Sequence, residues 1–437
     1  MGHLGRIKDE YRELANRMQH GTTRLVEGDT EKTEKARQEI LELLFTPEEA
    51  QLAARLPILP ASLRRIAERV DVTPELLKPR LDALCDKGLV MDLVSPRTGK
   101  TKYMLAPPVI GFFEFSLMRR DASRPQKEIA EAVHAYSHGD AAFVREVFSR
   151  DTMIGRALPY ESALDEEELP DVLVWERATS LLRDARSIAV STCFCRHSAE
   201  HRGVPCGLPT ENCLSLNAGA DYVAGRKLGR AIGSSEALEI LEQARSHGLV
   251  QIADNVQRQP AYVCNCCGCC CEQLHGINEF GMRAVNPSGF LPRNLETRCV
   301  GCSRCARACP IGAITMTARR VDGKSKATLA PNVDEEKCIG CGVCTAACHK
   351  RALSLERSEQ RPVVPTDGVE KALRMAIERG QLADLVFDQG AGRGARFLNR
   401  VMSLLVALPP ARQALANQQL RSRFVRFALA RVKDPTS

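Results

Sequence analysis

Eight cysteines fall in two runs of identical spacing. Cys299, Cys302, Cys305 and Cys309 form C-x2-C-x2-C-x3-C followed by Pro310, and Cys338, Cys341, Cys344 and Cys348 repeat it 39 residues later. Thiolates are soft ligands that select zinc or iron–sulfur cores over hard cations. C-x2-C pairs also build zinc ribbons, but two tandem four-cysteine runs favour iron–sulfur cubes. Ten more cysteines lie upstream: Cys193 and Cys195 in CFCRH, Cys206, Cys213, then Cys264, Cys266, Cys267, Cys269, Cys270 and Cys271. Six cysteines within eight residues are not routine core packing, because adjacent free thiols oxidise unless a metal occupies them. Of the 19 cysteines only Cys85 lies outside 193–348.

The segment 295–356 resembles bacterial two-cluster [4Fe–4S] ferredoxins. The resemblance implies a duplicated β-α-β fold and two [4Fe–4S] clusters with crossed ligation. One cluster is expected on Cys299, Cys302, Cys305 and Cys348, the other on Cys338, Cys341, Cys344 and Cys309. Ala313–Met316 and Ala352–Leu355 follow the two runs at equal offsets, as matching strands should. One departure is visible: Cys348 is followed by His349-Lys350-Arg351, where such ferredoxins have proline and small residues.

The upstream ten sulfurs are expected to hold one or two additional Fe–S clusters, with zinc or a thiol relay as alternatives. The preferred grouping is Cys193, Cys195, Cys206 and Cys213 for one centre, with Cys264, Cys266, Cys267, Cys269, Cys270 and Cys271 for another. His197, His201 and His275 are alternative ligands, and Arg196 and His197 are candidate donors to a bound cluster or anion.

The elements that must position these residues read as a multidomain α+β chain. Residues 1–35 form a loosely attached arm and 36–107 a winged helix-turn-helix. A helical connector over 108–185 leads to a cysteine-rich α/β domain over 186–285, entered by the strand Ser187–Ser191. Asn286–Gly289 reads as a linker to the ferredoxin domain, 290–360, and Arg361–Gly368 as a second linker to a basic helical tail, 366–437. Helix signals are clear: Thr46-Pro47-Glu48-Glu49 is a capping box, and Leu63, Ile66, Ala67 and Val70 make an apolar stripe. A hairpin over 89–105 turns at Ser95–Lys100.

Composition at 44% hydrophobic and 26% charged is that of a globular chain. With no apolar run long enough to span a bilayer and no secretion signal, the expected location is the cytoplasm. The +7 net charge is concentrated in residues 361–437, with 13 Lys/Arg against 6 Asp/Glu. That tail suits an anionic partner or membrane surface.

These features point to an iron–sulfur electron-transfer protein serving partner oxidoreductases. The overall arrangement loosely resembles winged-helix/ferredoxin fusion proteins of anaerobic bacteria. A redox-sensing regulator that binds DNA is the second reading, and a reductase subunit with substrate at the upstream cysteines the third. Against DNA, the reading helix carries Glu75, Asp82 and Asp86, with Pro79 inside it. Gln389–Gly394 has no strand–helix frame and is a poor phosphate loop. The cationic trio after Cys348 is expected to raise the potential of the neighbouring cluster. Redox titration of His349→Pro should therefore give a lower potential, and an unchanged one would remove the effect.

Overall fold

A computed structural model of the chain describes residues 9–164, 173–295, 297–319, 328–359 and 361–382. Local signals act as the sequence predicts. The Thr46 hydroxyl accepts from the Glu49 N–H, and the Glu49 carboxylate accepts from the Thr46 N–H at 2.9 Å, opening the helix Pro47–Ala53. Helices Leu63–Val70 and Pro74–Asp86 follow. Strands β1 (Ala61–Ser62), β2 (Val90–Val94) and β3 (Thr101–Leu105) form an antiparallel sheet in the order β1-β3-β2.

The expected loose arm is instead packed. Tyr11, Leu14 and Met18 are buried along the helix Asp9–Arg17, and the Arg17 guanidinium donates to the Leu56 carbonyl at 2.6 and 2.9 Å. Charged neighbours in the sequence mask this apolar stripe.

The expected helical connector also does more than connect. After helices Gln126–His138 and Ala142–Phe148, it supplies β4 (Gly155–Ala157) to the main sheet. The other strands are β5 (Ile188–Thr192), β6 (Glu211–Leu216), β7 (Arg230–Ile232), β8 (Val250–Asp254), β9 (Tyr262–Cys266) and β10 (Val285–Asn286). The sheet order is β10-β4-β8-β9-β6-β5-β7, and only the β10–β4 pair is parallel. The cysteine-rich region is thus antiparallel α+β and not α/β, since no β-α-β crossover dominates it. Leu182 and Leu241 from helices Ala178–Asp184 and Ser234–Ser246 cover Val190, Leu214 and Val263 on one face. Strand alternation therefore puts Cys213, Cys264 and Cys266 on the other.

The ferredoxin-like segment contributes β11 (Phe290–Asn294), β12 (Ile314–Arg319), β13 (Thr328–Val333) and β14 (Leu353–Arg357). β11 pairs with β14, and β12 with β13, both antiparallel. The strand before the first cysteine run thus pairs with the strand after the second, which closes the duplicated unit.

Neither expected linker is free. Asn286 donates to Asn255 Oδ1 at 3.1 Å, and Ser288 bonds the Ile339 and Gly340 carbonyls at 3.0 and 2.7 Å. The carbonyls of Pro365 and Thr366 accept from the N–H groups of Gln257 and Arg258, each at 2.9 Å. Polar composition suggested solvated turns, but these side chains and carbonyls bond to neighbouring elements. Helix Gly368–Glu378 follows. Gln389–Gly394 and the rest of the basic tail lie outside the described residues. No helix among the described residues is long and apolar enough to cross a membrane.

Arg226 is a main polar tie between the N-terminal module and the main sheet. Arg226, after the helix Asn217–Gly225, reaches Asp82 at 2.9 Å, Asp86 at 3.0 Å and Asp92 at 2.5 Å. Tyr222 on the same helix donates its hydroxyl to the Val90 carbonyl at 3.0 Å. Burial opposes ionisation of Asp82, but Lys78 and Arg226 hold its carboxyl below the usual range. Its contribution to docking is therefore present above the unfolded carboxylate pKa of about 4 and lost as pH falls through the folded value. Arg226→Ala should cost about 2 kcal/mol, as loss of a partly buried ion-pair partner does. Faster amide exchange over 74–105 is the expected readout, with little change in β8 and β9.

Candidate metal centres

Two cavities open in the ferredoxin-like segment. One, of about 350 Å³, is lined by Cys299, Cys302, Cys305 and Cys348; the other, of about 320 Å³, by Cys309, Cys338, Cys341 and Cys344. The structure thus gathers the two crossed quartets expected from the resemblance. The Ala313 N–H donates to Cys309 Sγ at 3.2 Å, and the Ala352 N–H to Cys348 Sγ at 3.3 Å. These amides occupy equivalent places in the two halves. Backbone donors also reach Cys338 from Gly340 and Cys341 from Val343. Such N–H···S contacts stabilise a negatively charged thiolate core, so the residues fit [4Fe–4S] cores. Burial pushes the Cys338 and Cys341 thiols up to about 11 and about 12. The first cavity is the more open: Cys302 is exposed, whereas Cys341 and Cys344 are buried.

The upstream cysteines divide in a way that their order does not suggest. Six sulfurs stand in a closed ring of neighbours: Cys193 beside Cys195 and Cys213, Cys264 beside Cys213 and Cys266, and Cys271 beside Cys195 and Cys266. Those contacts push Cys193, Cys264 and Cys271 below the usual thiol range and Cys195, Cys213 and Cys266 above it. Local structure explains the placement. Cys264 and Cys266 alternate on β9, Cys213 lies on adjacent β6, and Cys193 and Cys271 are the N-cap residues of two helices. With a ring cysteine at each N-cap, both helix N-termini face the ring.

The remaining four, Cys206, Cys267, Cys269 and Cys270, lie with all their sulfurs within 4.8 Å of one another. Cys206 thus leaves the first expected group, and Cys264, Cys266 and Cys271 leave the second. The cause is geometric: strand alternation retains Cys264 and Cys266, while the turn after β9 carries Cys267, Cys269 and Cys270 away.

Arg196 stands between the two groups. Its guanidinium donates to the Asn265 carbonyl at 3.0 Å and the Pro209 carbonyl at 2.8 Å. Burial opposes its charge, but the nearby Cys193 and Cys267 sulfurs favour it. His197, a candidate donor or ligand, instead places Nδ1 2.8 Å from the Leu117 carbonyl and is buried. His201 faces His197 at 3.1 Å, and His275 packs on the ring of His138. None of the three joins a group of thiols among the described residues.

Glu114 is a functional candidate that sequence reasoning missed. Burial raises its carboxyl to about 7 and the Cys264 thiolate adds to the rise, against the opposing Gly111 N–H at 2.9 Å. A lone acid in the run Phe112-Phe113-Glu114-Phe115 was the available signal. His138 bridges Glu272 at 2.9 Å and Glu279 at 2.7 Å beside the ring and was likewise not singled out.

The upstream and ferredoxin-like parts touch directly. Gly268 lies against the Pro310 carbonyl so closely that an added Cβ would collide with it. Asn278 donates to the same oxygen at 3.1 Å. One hydrophobic core contains Cys266, Cys271, Ile311, Ala313 and Cys341, with Cys195, Cys264, Cys309 and Cys338 packed against it.

Residues 298–352 match the 4Fe-4S dicluster domain family. This segment is therefore ferredoxin-like, and 4Fe-4S binding is its supported chemistry. Neither a curated protein nor a solved structure matches the chain.

Gly340 tests the second quartet. It adopts φ +66°, and an added Cβ would strike the Phe290 carbonyl and the Ser288 hydroxyl. Gly340→Ala should lower bound iron by about four per chain, the content of one cube. Gly225→Ala, with open space around it, should leave iron content unchanged.

Proposed function

We propose that this chain is an electron-transfer protein that exchanges electrons with a separate acidic redox partner. The carrying observation is that the ring cysteines Cys266 and Cys271 share one hydrophobic core with Ile311, Ala313 and Cys341, with Gly268 set directly against Pro310. When bound, [4Fe–4S] cores at the two ferredoxin-like quartets supply one-electron chemistry, and the six-thiol ring offers ligands for a further Fe–S centre.

The chain's own residues give that chemistry a direction. Cys302 and Val300 are exposed at the first quartet, with Val300 57% accessible, whereas the second quartet is largely enclosed. Around the open end lie the exposed side chains Arg298, Arg304, Arg307, Lys350 and Arg351. An acidic electron carrier would be steered to that rim, because opposite charge raises association rates at low salt. The Gly268–Pro310 contact joins the second quartet, through Cys309, to the upstream sulfurs.

Residues 36–107 have the helix and strand order of a winged helix, and we assign it a docking role within the chain. Arg226 engages Asp82 and Asp86 on the helix that would read DNA, so part of that helix is occupied. Outside that contact it exposes Glu75, Leu76, Lys78, Pro79 and Arg80, and Lys78 is paired with Asp82 at 2.6 Å, which leaves few donors for base edges.

Stopped-flow reduction of the anaerobically purified full chain by an acidic one-electron donor protein tests this reading. The rate should fall steeply with ionic strength, and Arg304→Glu with Lys350→Glu should lower it roughly tenfold at low salt. A rate indifferent to both would remove the proposed docking surface. Material lacking acid-labile sulfide would remove the electron-transfer reading altogether.

A further inference from the structure

We infer that Cys206, Cys267, Cys269 and Cys270 form a single-ion tetrathiolate site for Zn²⁺, separate from the iron–sulfur sites of the chain. This inference does not rest on the proposed electron transfer. It rests on how far apart the sulfurs stand and on where the four side chains originate.

Four thiolates on one tetrahedral zinc, with bonds of about 2.3 Å, stand about 3.8 Å apart. Four thiolates on a [4Fe–4S] cube each cap a different iron and stand about 6 Å apart. All four sulfurs here lie within 4.8 Å of one another, with Cys269 and Cys270 at 3.8 Å. Among the described residues, neither ferredoxin-like quartet nor the six-thiol ring has three sulfurs that close. The same chain therefore holds thiols at two spacings, and only this quartet has the single-ion one.

The surroundings suit a closed structural site. Cys267 and Cys270 are 7% and 1% exposed and pack with Ala199, Ala244 and Leu249, so the ion would sit against apolar side chains. A zinc with four thiolates carries a net charge of about −2. Arg196, buried beside Cys267, offsets part of it, and its Nε has no protein partner. Second-shell donors of this kind orient ligands and tune the ion.

The site has a mechanical consequence. Cys206 comes from the loop before β6, whereas the other three form the turn after β9. An ion held by both fixes that turn, and with it Gly268 against Pro310 beside Cys309. Zinc has no redox chemistry and would hold the junction without changing charge during electron exchange.

Metal analysis of the anaerobically purified full chain should find one zinc per chain in addition to iron. Zinc-edge X-ray absorption should show four sulfurs at about 2.3 Å. Cys206→Ser and Cys269→Ser should each lose the zinc while iron, acid-labile sulfide and cluster EPR signals persist. Loss of about four irons with matching sulfide would instead assign a cube there and overturn the inference. Loss of one iron without zinc, or zinc unaffected in both variants, would overturn it as well. If either variant fails to fold, the absorption spectrum of the unaltered protein still decides. Absence of iron with zinc retained would sink the electron-transfer reading and leave this site standing.

Discussion

Charge on buried sulfur is the constraint that organises this molecule. A thiolate transferred out of water costs several kcal/mol unless a cation, a metal or hydrogen bonds offset it. Eighteen cysteines are packed between residues 193 and 348, and most are buried or partly buried. Protein groups supply only part of the compensation. Two helix N-termini meet the ring, paired amides meet Cys309 and Cys348, and Arg196 lies between the upstream groups. At the ferredoxin-like quartets bound clusters would supply the remainder, which ties the folded state of 298–352 to its cofactors.

That dependence explains why the segment boundaries are rigid where polarity suggested linkers. A thiol cage keeps its geometry only if the strands feeding it cannot slide. Asn286, Ser288 and the Pro365–Thr366 carbonyls each fasten one of those entry points, while Tyr160 spans the sheet and the second quartet. Its N–H donates to the Cys341 carbonyl at 3.0 Å, and its hydroxyl to the Leu249 carbonyl at 2.7 Å. Tyr160 thereby links β8, through its lead-in residue, to the loop that carries Cys341. Arg357, paired with Glu176 at 3.1 Å and lying 4.5 Å over the Phe290 ring, fixes β14 in the same way.

Much of this was legible in the residues, and the failures have a common cause. The tandem spacing carried the resemblance that implies the crossed quartets, and capping chemistry placed the helix starting at Pro47. Relations between distant segments were not legible. Nothing local says that Cys206 faces Cys270 while Cys213 faces Cys264, because that depends on which side of the sheet each loop returns. Gly155–Ala157 has neither the length nor the β-branched residues of a recognisable strand, and its pairing to β8 and β10 is a tertiary effect. Asp82 and Arg226 look like ordinary surface charges until the fold brings them to 2.9 Å.

The two upstream groups also differ in what they can tolerate. Around the ring, thiols pushed below the usual range alternate with thiols pushed above it, so its members respond to one another's charge, and Glu114 responds to Cys264. A centre there can change charge while neighbouring protons adjust. The quartet around Cys206 has the opposite character: its sulfurs are already at contact spacing and one side is apolar. A site that must accept an extra electron needs nearby groups that move protons or donate hydrogen bonds, whereas a site that holds a turn needs short, fixed bonds. The division of ten cysteines into six and four follows that distinction. It also places the rigid group at Gly268, where the upstream fold meets Pro310 and any change in spacing would separate the two halves.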